Sequence, residues 1–160
     1  MGGGIITQVA EQRPDKIKTL VYVAALLPQN GEAMFQLLQQ DPEPSAQANF
    51  VLSADQSYLT LRDGDLKEMV YSDCADEDAA LGKVLLVPQA TAPLMTPLKT
   101  SEANFGRVPR VYMECLRDGS LALQRKLYTT LPCRQVISLD TGHFPMLSMP
   151  EELAAHLAAL

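Results

Sequence analysis

The stretch Ser138–Leu147, SLDTGHFPML, decides the fold prediction for this chain. The apolar run Gln135–Leu139 predicts a short buried strand, and the Asp-Thr-Gly sequence that follows predicts a turn. His143 comes directly after that turn, and a helix is predicted to begin at Pro150. The histidine therefore lies on a loop at the carboxyl end of a predicted parallel strand, where open α/β sheets carry ligands and chemistry. The alternative is a loop histidine that hydrogen bonds only to nearby backbone.

The composition excludes several classes of protein. The 160 residues are 47% hydrophobic and 20% charged, with a net charge of −6, which suits one domain or part of one. Lys and Arg never cluster, so we expect no nucleic-acid partner, and no apolar run approaches the roughly 18 residues of a membrane span. The three cysteines lack metal-ligand spacing and suit free thiols in a reducing compartment. We therefore predict a cytoplasmic protein without a metal or cofactor.

The chain alternates helices and buried strands, as in an α/β fold with a parallel sheet, but one long segment breaks the pattern. The predicted core elements are helix Ile5–Arg13, strand Ile17–Ala25, strand Val108–Leu116, helix Leu121–Tyr128, strand 133–139 and helix 150–160. Residues 28–105 contain only small elements. We therefore predict a core of residues 1–27 and 106–160, with residues 28–105 inserted as a cap.

The predicted cap mixes helices with a hairpin. Its expected parts are a helix over 32–40, a loop at Asp41–Ser45, strands Ala48–Leu52 and Tyr58–Arg62, a turn at Asp63–Gly64, helices Asp65–Tyr71 and Asp76–Leu86, and an irregular stretch Pro88–Pro97. The three glycines Gly2–Gly4 precede the first helix, although each glycine costs about 1 kcal/mol in a helix interior. They predict either a flexible tail or very close backbone packing.

Asp118 is the second candidate for chemistry. It also lies just past the carboxyl end of a predicted core strand, in a loop before a helix. Strands that are consecutive in sequence are usually neighbours in the sheet, so Asp118 and His143 should lie side by side. The order Asp then His is the end of the chain order Ser, Asp, His used by α/β-hydrolases. The alternative for Asp118 is a turn residue or helix cap.

Six segments together resemble a known family. They are Met1–Gly4, Leu20–Pro28, Glu68–Cys74, Pro88–Pro93, Tyr112–Asp118 and Gly142–Leu147. In this order they resemble the plant-type methylesterases and hydroxynitrile lyases of the α/β-hydrolase superfamily, with their bacterial esterase relatives. The resemblance implies a partial α/β-hydrolase fold, a three-layer sandwich with a parallel sheet and a mixed helix and hairpin cap.

The resemblance also implies a set of site residues. Asp118 would be the triad acid and His143 the general base, while Met1–Gly4 resembles the end of a Gly-His-Ser-Met-Gly-Gly nucleophile elbow. The backbone N–H of Met1 would then belong to the oxyanion hole. The chain has no Gly-x-Ser-x-Gly, and Ser120 and Ser148 are not in that setting. We therefore expect a C-terminal portion that begins just after the serine and is inactive by itself.

The residue after the histidine separates the branches of this family. In the hydroxynitrile lyases that this chain resembles, a lysine follows the catalytic histidine. This chain has Phe144 at that position, which favours hydrolysis of small carboxylic esters. Phe144, Met146 and Leu116 would line an apolar substrate pocket, with ordinary core packing as the alternative. Hydroxynitrile lyase activity and a non-catalytic binding protein on a hydrolase scaffold are the other hypotheses. The expected partner is a small ester, and a homodimer stays open.

Overall fold

The computed structural model describes residues 1–42, 49–62 and 66–160. The described helices are α1 Gly2–Gln12, α2 Met34–Leu38, α3 Leu66–Val70, α4 Asp76–Leu85, α5 Ala92–Met95, α6 Leu121–Thr130, α7 Pro145–Ser148 and α8 Pro150–Ala158. The described strands are β1 Leu20–Val23, β2 Phe50–Leu52, β3 Tyr58–Leu61, β4 Gln89–Ala90, β5 Arg110–Cys115 and β6 Gln135–Leu139. Single 3₁₀ turns cover Pro14–Lys16 and Phe105–Arg107.

The main sheet contains β1, β5 and β6 in that spatial order, and both pairs are parallel. Leu20 pairs with Arg110 and Cys115 pairs with Leu139. All three strands therefore end at the same edge of the sheet. The sequence predicted the positions of these strands correctly, although β1 is shorter than the apolar run from Ile17 to Ala25 because only its middle pairs with β5. The prediction that Gln135–Leu139 is a buried strand was wrong for most of its length: only Leu139 is buried, because β6 lies at the end of the described sheet.

Helices cover both faces of this sheet. Tyr22 and Tyr112 on one face are fully buried and pack with Leu123 and Leu127 of α6 and Ala10 of α1. On the opposite face, the buried residues Met113 and Leu139 pack against Leu153 of α8. The predicted three-layer α/β architecture is therefore confirmed, with apolar side chains filling both interlayer spaces.

The segment between β1 and β5 forms a second, small antiparallel sheet in the order β2, β3, β4. The prediction that Pro88–Pro97 is irregular was wrong, since β4 and α5 both lie within it. The two-residue strand β4 is defined by pairing with β3, which cannot be inferred from local pattern. Most of the predicted loop Asp41–Ser45 and the whole predicted turn Asp63–Gly64 lie outside the described residues, as do the first residues of the predicted strand Ala48–Leu52 and helix Asp65–Tyr71.

The glycines at the start of α1 are part of the helix and not a flexible tail. Gly3 and Gly4 are buried, and α1 begins at Gly2. A Cβ on Gly3 would overlap the carbonyl oxygen of Leu26, and one on Gly4 would lie 2.7 Å from the Met34 sulfur. Glycine is therefore required where α1 meets the segment that follows β1.

Candidate active site

The loops after β5 and β6 stay hydrogen bonded beyond the ends of the strands. The backbone N–H of Leu116 donates to the carbonyl oxygen of Leu139 over 2.9 Å, and that of Arg117 donates to Thr141 over the same distance. The parallel pairing thus continues to the residue before Asp118 and to within two residues of His143. This places the two candidate side chains at one edge of the sheet.

Asp118 and His143 are in direct contact. The Nδ1 atom of His143 lies 2.7 Å from Oδ2 of Asp118, and the Asp118 side chain is only 5% exposed. Burial acts to raise the pKa of Asp118, but the hydrogen bond and charge interaction with His143 and the donors of Ser120 outweigh it, so the pKa is below its ordinary value. Because Asp118 is ionised at neutral pH, its carboxylate is an acceptor for a proton on Nδ1 of His143, which favours the tautomer with Nε2 unprotonated.

Two further residues hold the carboxylate of Asp118. The backbone N–H and the hydroxyl of Ser120 donate to Oδ1 over 2.9 and 3.0 Å, and the side-chain amide of Gln124 donates to Oδ2 over 2.8 Å. Asp118 therefore also closes a turn before α6. The alternative of a turn residue holds together with the contact to His143, since one carboxylate makes both sets of bonds.

Sequence reasoning missed Gln124. This residue is 2% exposed and lies on α6 between the buried Leu123 and Leu127. Its amide oxygen accepts from the backbone N–H of Cys115 over 3.2 Å while its nitrogen donates to Asp118. A polar residue inside the apolar stripe of a helix was the available signal, because a buried amide requires partners.

The second ring nitrogen of His143 is available for proton transfer. Across residues 1–42, 49–62 and 66–160, no protein group hydrogen bonds to Nε2. The His143 side chain is 35% exposed, and the edge of its ring contacts Phe144 with the centroids 5.0 Å apart. The imidazole is therefore anchored through Nδ1, while its other nitrogen has no protein partner.

His143 and Asp118 line a cavity of about 740 Å³. Most of the lining is apolar and comes from the segment between β1 and β5, including Leu59, Met69 and Leu94. Phe144 and Met146 also line it, whereas Leu116 is absent from the described lining and is 39% exposed beyond β5. The structure thus brings together every candidate site residue except Leu116.

The first residues of α1 reach the same cavity. Met1 and Gly2 are part of its lining, together with residues 23–26 at the carboxyl end of β1. Burial lowers the pKa of the Met1 amino group below its ordinary value. The amino end of α1 therefore faces the space that contains His143.

The backbone at the end of β1 has an unusual conformation. Ala24 has a φ of 44°, in the left-handed region that non-glycine residues rarely adopt. Its N–H donates to the carbonyl oxygen of Met113 over 3.0 Å, and the hydroxyl of Tyr112 donates to Ala25 over 2.7 Å. These two bonds hold the strained turn against the core, and the turn lines the cavity.

The described residues contain neither a cluster of metal ligands nor a membrane-spanning helix. No group of three or more His, Cys, Asp or Glu side chains there is arranged to hold a metal ion. None of the described helices has the length and apolar character to span a bilayer. Cys74, Cys115 and Cys133 are free thiols, and the first two are buried.

Comparison with known proteins identifies the family. No family model matches the chain. The carbendazim hydrolyzing esterase of Nocardioides sp. (strain SG-4G) is 32% identical over 166 residues, which cover 99% of this chain and 67% of that protein. The putative chloroplastic methylesterase 11 of Arabidopsis thaliana is 31% identical, and the match covers 95% of this chain and 42% of that protein. A crystal structure of a pyrethroid hydrolase from Sphingobium faniae JZ-2 superposes with a TM-score of 0.87 at 28% identity, covering 99% of this chain and 66% of that one.

These matches agree with the parallel sheet, the small second sheet and the cavity between them. The chain belongs to the methylesterase-like family of α/β-hydrolases. It spans about two thirds of the Nocardioides esterase and less than half of the Arabidopsis methylesterase.

Proposed function

We propose that this chain carries the acid and the base of a carboxylic ester hydrolase that works through a Ser-His-Asp triad. The observation that carries the proposal is the 2.7 Å contact between Nδ1 of His143 and the buried carboxylate of Asp118, with Nε2 left without a protein partner in the described residues. A histidine held in this way is the general base that a serine nucleophile requires.

In the proposed reaction, His143 acts first as a base and then as an acid. Nε2 takes the proton of the serine hydroxyl while the serine oxygen bonds to the ester carbonyl carbon. The same proton passes to the alcohol oxygen as the ester C–O bond breaks, which leaves an acyl-serine. Water then attacks the acyl group, again giving its proton to Nε2, and the serine leaves with that proton. Asp118 stays ionised throughout and stabilises the imidazolium.

The proposed nucleophile is a serine joined to the amino end of Met1 in the complete enzyme. Met1 and Gly2 line the cavity that contains His143, so a residue bonded to Met1 would enter the same space. The backbone N–H of Met1 would then be an oxyanion donor. The serines near the site have other partners, since Ser120 donates to Asp118 and Ser148 bonds to Thr141. We therefore expect the 160-residue chain to be inactive by itself.

The proposed substrates are esters with an apolar acyl or alcohol group. A cavity of about 740 Å³ is within the range of ligand sites of roughly 300–1,000 Å³, so small esters fit and bulkier ones are accommodated as well. Phe144 and Met146 are the proposed substrate contacts. Leu116 is left out because it is not part of the described lining. In this proposal residues 28–105 form the cap over the cavity. The proposed compartment is the cytoplasm, since the three cysteines are free thiols.

Hydrolysis is favoured over cyanohydrin cleavage by the residue after His143. Phe144 stacks on Tyr71 with the ring centroids 4.8 Å apart and carries no charge that could stabilise a leaving cyanide. An Arabidopsis relative named alpha-hydroxynitrile lyase is 29% identical over 171 residues, so cyanide release is a suitable comparison assay.

The test is a fusion that places the strands and Gly-His-Ser turn of an intact family member ahead of Met1. We expect it to hydrolyse p-nitrophenyl acetate and longer p-nitrophenyl esters, and we expect His143→Ala to lower kcat about 10⁴-fold. The matched control is His156→Ala, because His156 is a half-buried residue of α8 that pairs with Glu152 at 3.8 Å and is not part of the described cavity lining.

Three outcomes separate the hypotheses. Normal turnover by His143→Ala would disprove the triad assignment. Release of cyanide from a cyanohydrin without ester hydrolysis would favour the lyase. A well-folded fusion that binds an ester in the cavity but turns over neither substrate would favour a non-catalytic binding protein.

A further inference from the structure

A second carboxylate, from outside the core, contacts the loop that carries His143. Asp73 lies in the turn between α3 and α4. Its Oδ2 accepts from the backbone N–H of Gly142 over 2.6 Å and from the hydroxyl of Thr141 over 2.8 Å. These are the two residues immediately before His143.

The contact between Asp73 and this loop is buried and closely packed. The Asp73 side chain is 12% exposed, and Thr141 is fully buried. A Cβ on Gly142 would lie 2.6 Å from Oδ1 of Asp73, so only glycine allows the backbone to come this close. Burial acts to raise the pKa of Asp73, but the donors of Gly142 and Thr141 outweigh it and keep the pKa below its ordinary value.

Thr141 is also joined to the Asp118 loop. The carbonyl oxygen of Thr141 accepts from the backbone N–H of Arg117, the neighbour of Asp118, over 2.9 Å. Arg117 also has a guanidinium nitrogen 3.6 Å from Asp73. Thr141 and Gly142 are therefore held on one side by the core loop and on the other by Asp73. The backbone has little freedom where it continues to His143.

A ring contact reinforces this attachment. Tyr71 is two residues before Asp73 and is 6% exposed. Its ring stacks on Phe144, the residue after His143, at an interplanar angle of 18°. The turn that contains Asp73 therefore contacts the His143 loop on both sides of the histidine.

We propose that Asp73 is a positioning residue that holds Thr141 and Gly142 so that Nδ1 of His143 stays within hydrogen-bond distance of Asp118. The proposal rests on the triad proposed above, because it gives Asp73 a role in the alignment of the base. The competing explanation is that Asp73 only attaches the segment between β1 and β5 to the core.

The test measures the histidine itself and needs no turnover. The chain has only two histidines, so nitrogen-detected NMR of the full 160-residue chain resolves the tautomer of each ring, with His156 as an internal reference. In the wild type we expect neutral His143 to carry its proton on Nδ1. In Asp73→Ala we expect that population to fall by about half or more, because residues that hold a histidine ring through its neighbours fix its orientation and tautomer, and a displaced ring loses the bond from Nδ1 to Asp118. Asp73→Asn, whose amide oxygen still accepts, should restore most of it.

The matched control is Asp76→Ala, three residues further along the chain. Asp76 is 97% exposed and pairs with Lys67 at the surface, so its loss should leave the His143 tautomer unchanged. Thr141→Val is the second variant. It removes the hydroxyl donor to Asp73 and keeps the backbone N–H of Gly142, and it should reduce the Nδ1–H population even if Asp73→Ala does not fold.

Turnover in the fusion gives an independent readout. Asp73→Ala should lower kcat by about tenfold to a hundredfold with KM within about twofold, since displacement of a reacting group by about 1 Å has effects of this size. A variant that melts at a lower temperature but keeps the wild-type tautomer and kcat would overturn the proposal and leave Asp73 as an attachment. A changed tautomer in a protein without esterase activity would instead reject the proposed function while the positioning role stands.

Discussion

The core sheet and the segment between β1 and β5 are held in place by different kinds of contact. In the core, parallel strands of four and five residues flank the buried six-residue strand β5, and Tyr22, Tyr112 and Met113 are fully inaccessible. The segment has strands of two to four residues, and two of the three residues of β2 are exposed. It is joined to the core at particular points, including the Asp73 carboxylate and the close approach of Gly3 to Leu26.

Because of this difference, the core and the segment between β1 and β5 contribute to the site in two different ways. The register of β5 and β6 brings Asp118 next to His143, and this register depends on burial over whole strands. The segment between β1 and β5 supplies most of the cavity lining. Through a few polar bonds it also contacts the loop that follows β6 and carries His143. Single substitutions should therefore disturb the segment's attachment locally, whereas the arrangement of the core should resist them.

The largest expected effect is at the glycine contact between the two regions. Gly3→Ala should lower the free energy of unfolding by about 3 kcal/mol, because the added methyl overlaps the Leu26 carbonyl oxygen and the helix must move. Gly2→Ala is the matched control, since a Cβ there meets nothing within 4 Å. It should be neutral or stabilise by up to about 1 kcal/mol. Equal effects of the two variants in urea titrations would mean that α1 is not packed this closely.

A smaller effect is expected inside the core, behind Asp118. Gln124→Met keeps the volume but leaves the N–H of Cys115 and one oxygen of Asp118 without that partner. We expect a loss of about 2 kcal/mol of stability. The control is Gln8→Met at a half-buried position, where the side-chain amide donates a long bond of 3.4 Å to the carbonyl oxygen of Lys99. If Gln124→Met is as stable as its control, the core does not depend on this amide.

The smallest expected effect on the free energy of unfolding is at Glu11, another carboxylate that joins the core to the segment between β1 and β5. Glu11 of α1 accepts from the backbone N–H and hydroxyl of Ser101, the amide of Asn104 and the backbone N–H of Phe105. Desolvation acts to raise the pKa of Glu11, but these donors outweigh it and keep the pKa at about 2. Because the pKa in the folded state is depressed, the stabilisation is complete above the ordinary glutamate pKa of about 4.3 and is lost as the pH falls through about 2.

The measurement for Glu11 is the pH dependence of unfolding. The difference in unfolding free energy between the wild type and Glu11→Gln should be constant from pH 7 to about pH 4.5 and should shrink below that. Glu151→Gln, at an exposed position in α8, is the control and should show no such dependence. A difference that grows as the pH falls would have the wrong sign for this carboxylate.

Much of the core, and the contact between Asp118 and His143 at the edge of its sheet, could be predicted from local pattern. The apolar runs around Val21, Val111 and Ile137 identified the three strands, because apolar runs of this length are typical of parallel sheets. The exposure of most of β6 did not follow from its run, because it depends on the position of the strand in the sheet. Asp118 and His143 followed from their shared position after strands, and the preference of consecutive parallel strands to be neighbours brought them together. The exposed placement of Leu116 did not follow, because the direction of a side chain past a strand end depends on the loop.

Local patterning in the sequence was therefore sufficient for the class of fold, its strands and the acid–base pair, because each depends on periodicity and on one pairing rule. The tertiary structure alone decided which polar residues support that pair. Asp73 is 69 residues from Gly142 in the chain, and Gln124 meets Asp118 only when α6 packs on the sheet. It also decided that Gly2–Gly4 form a closely packed helix start, because close approach depends on the surface opposite. Contacts of this kind depend on which surfaces meet in the folded protein, and local sequence pattern does not predict that.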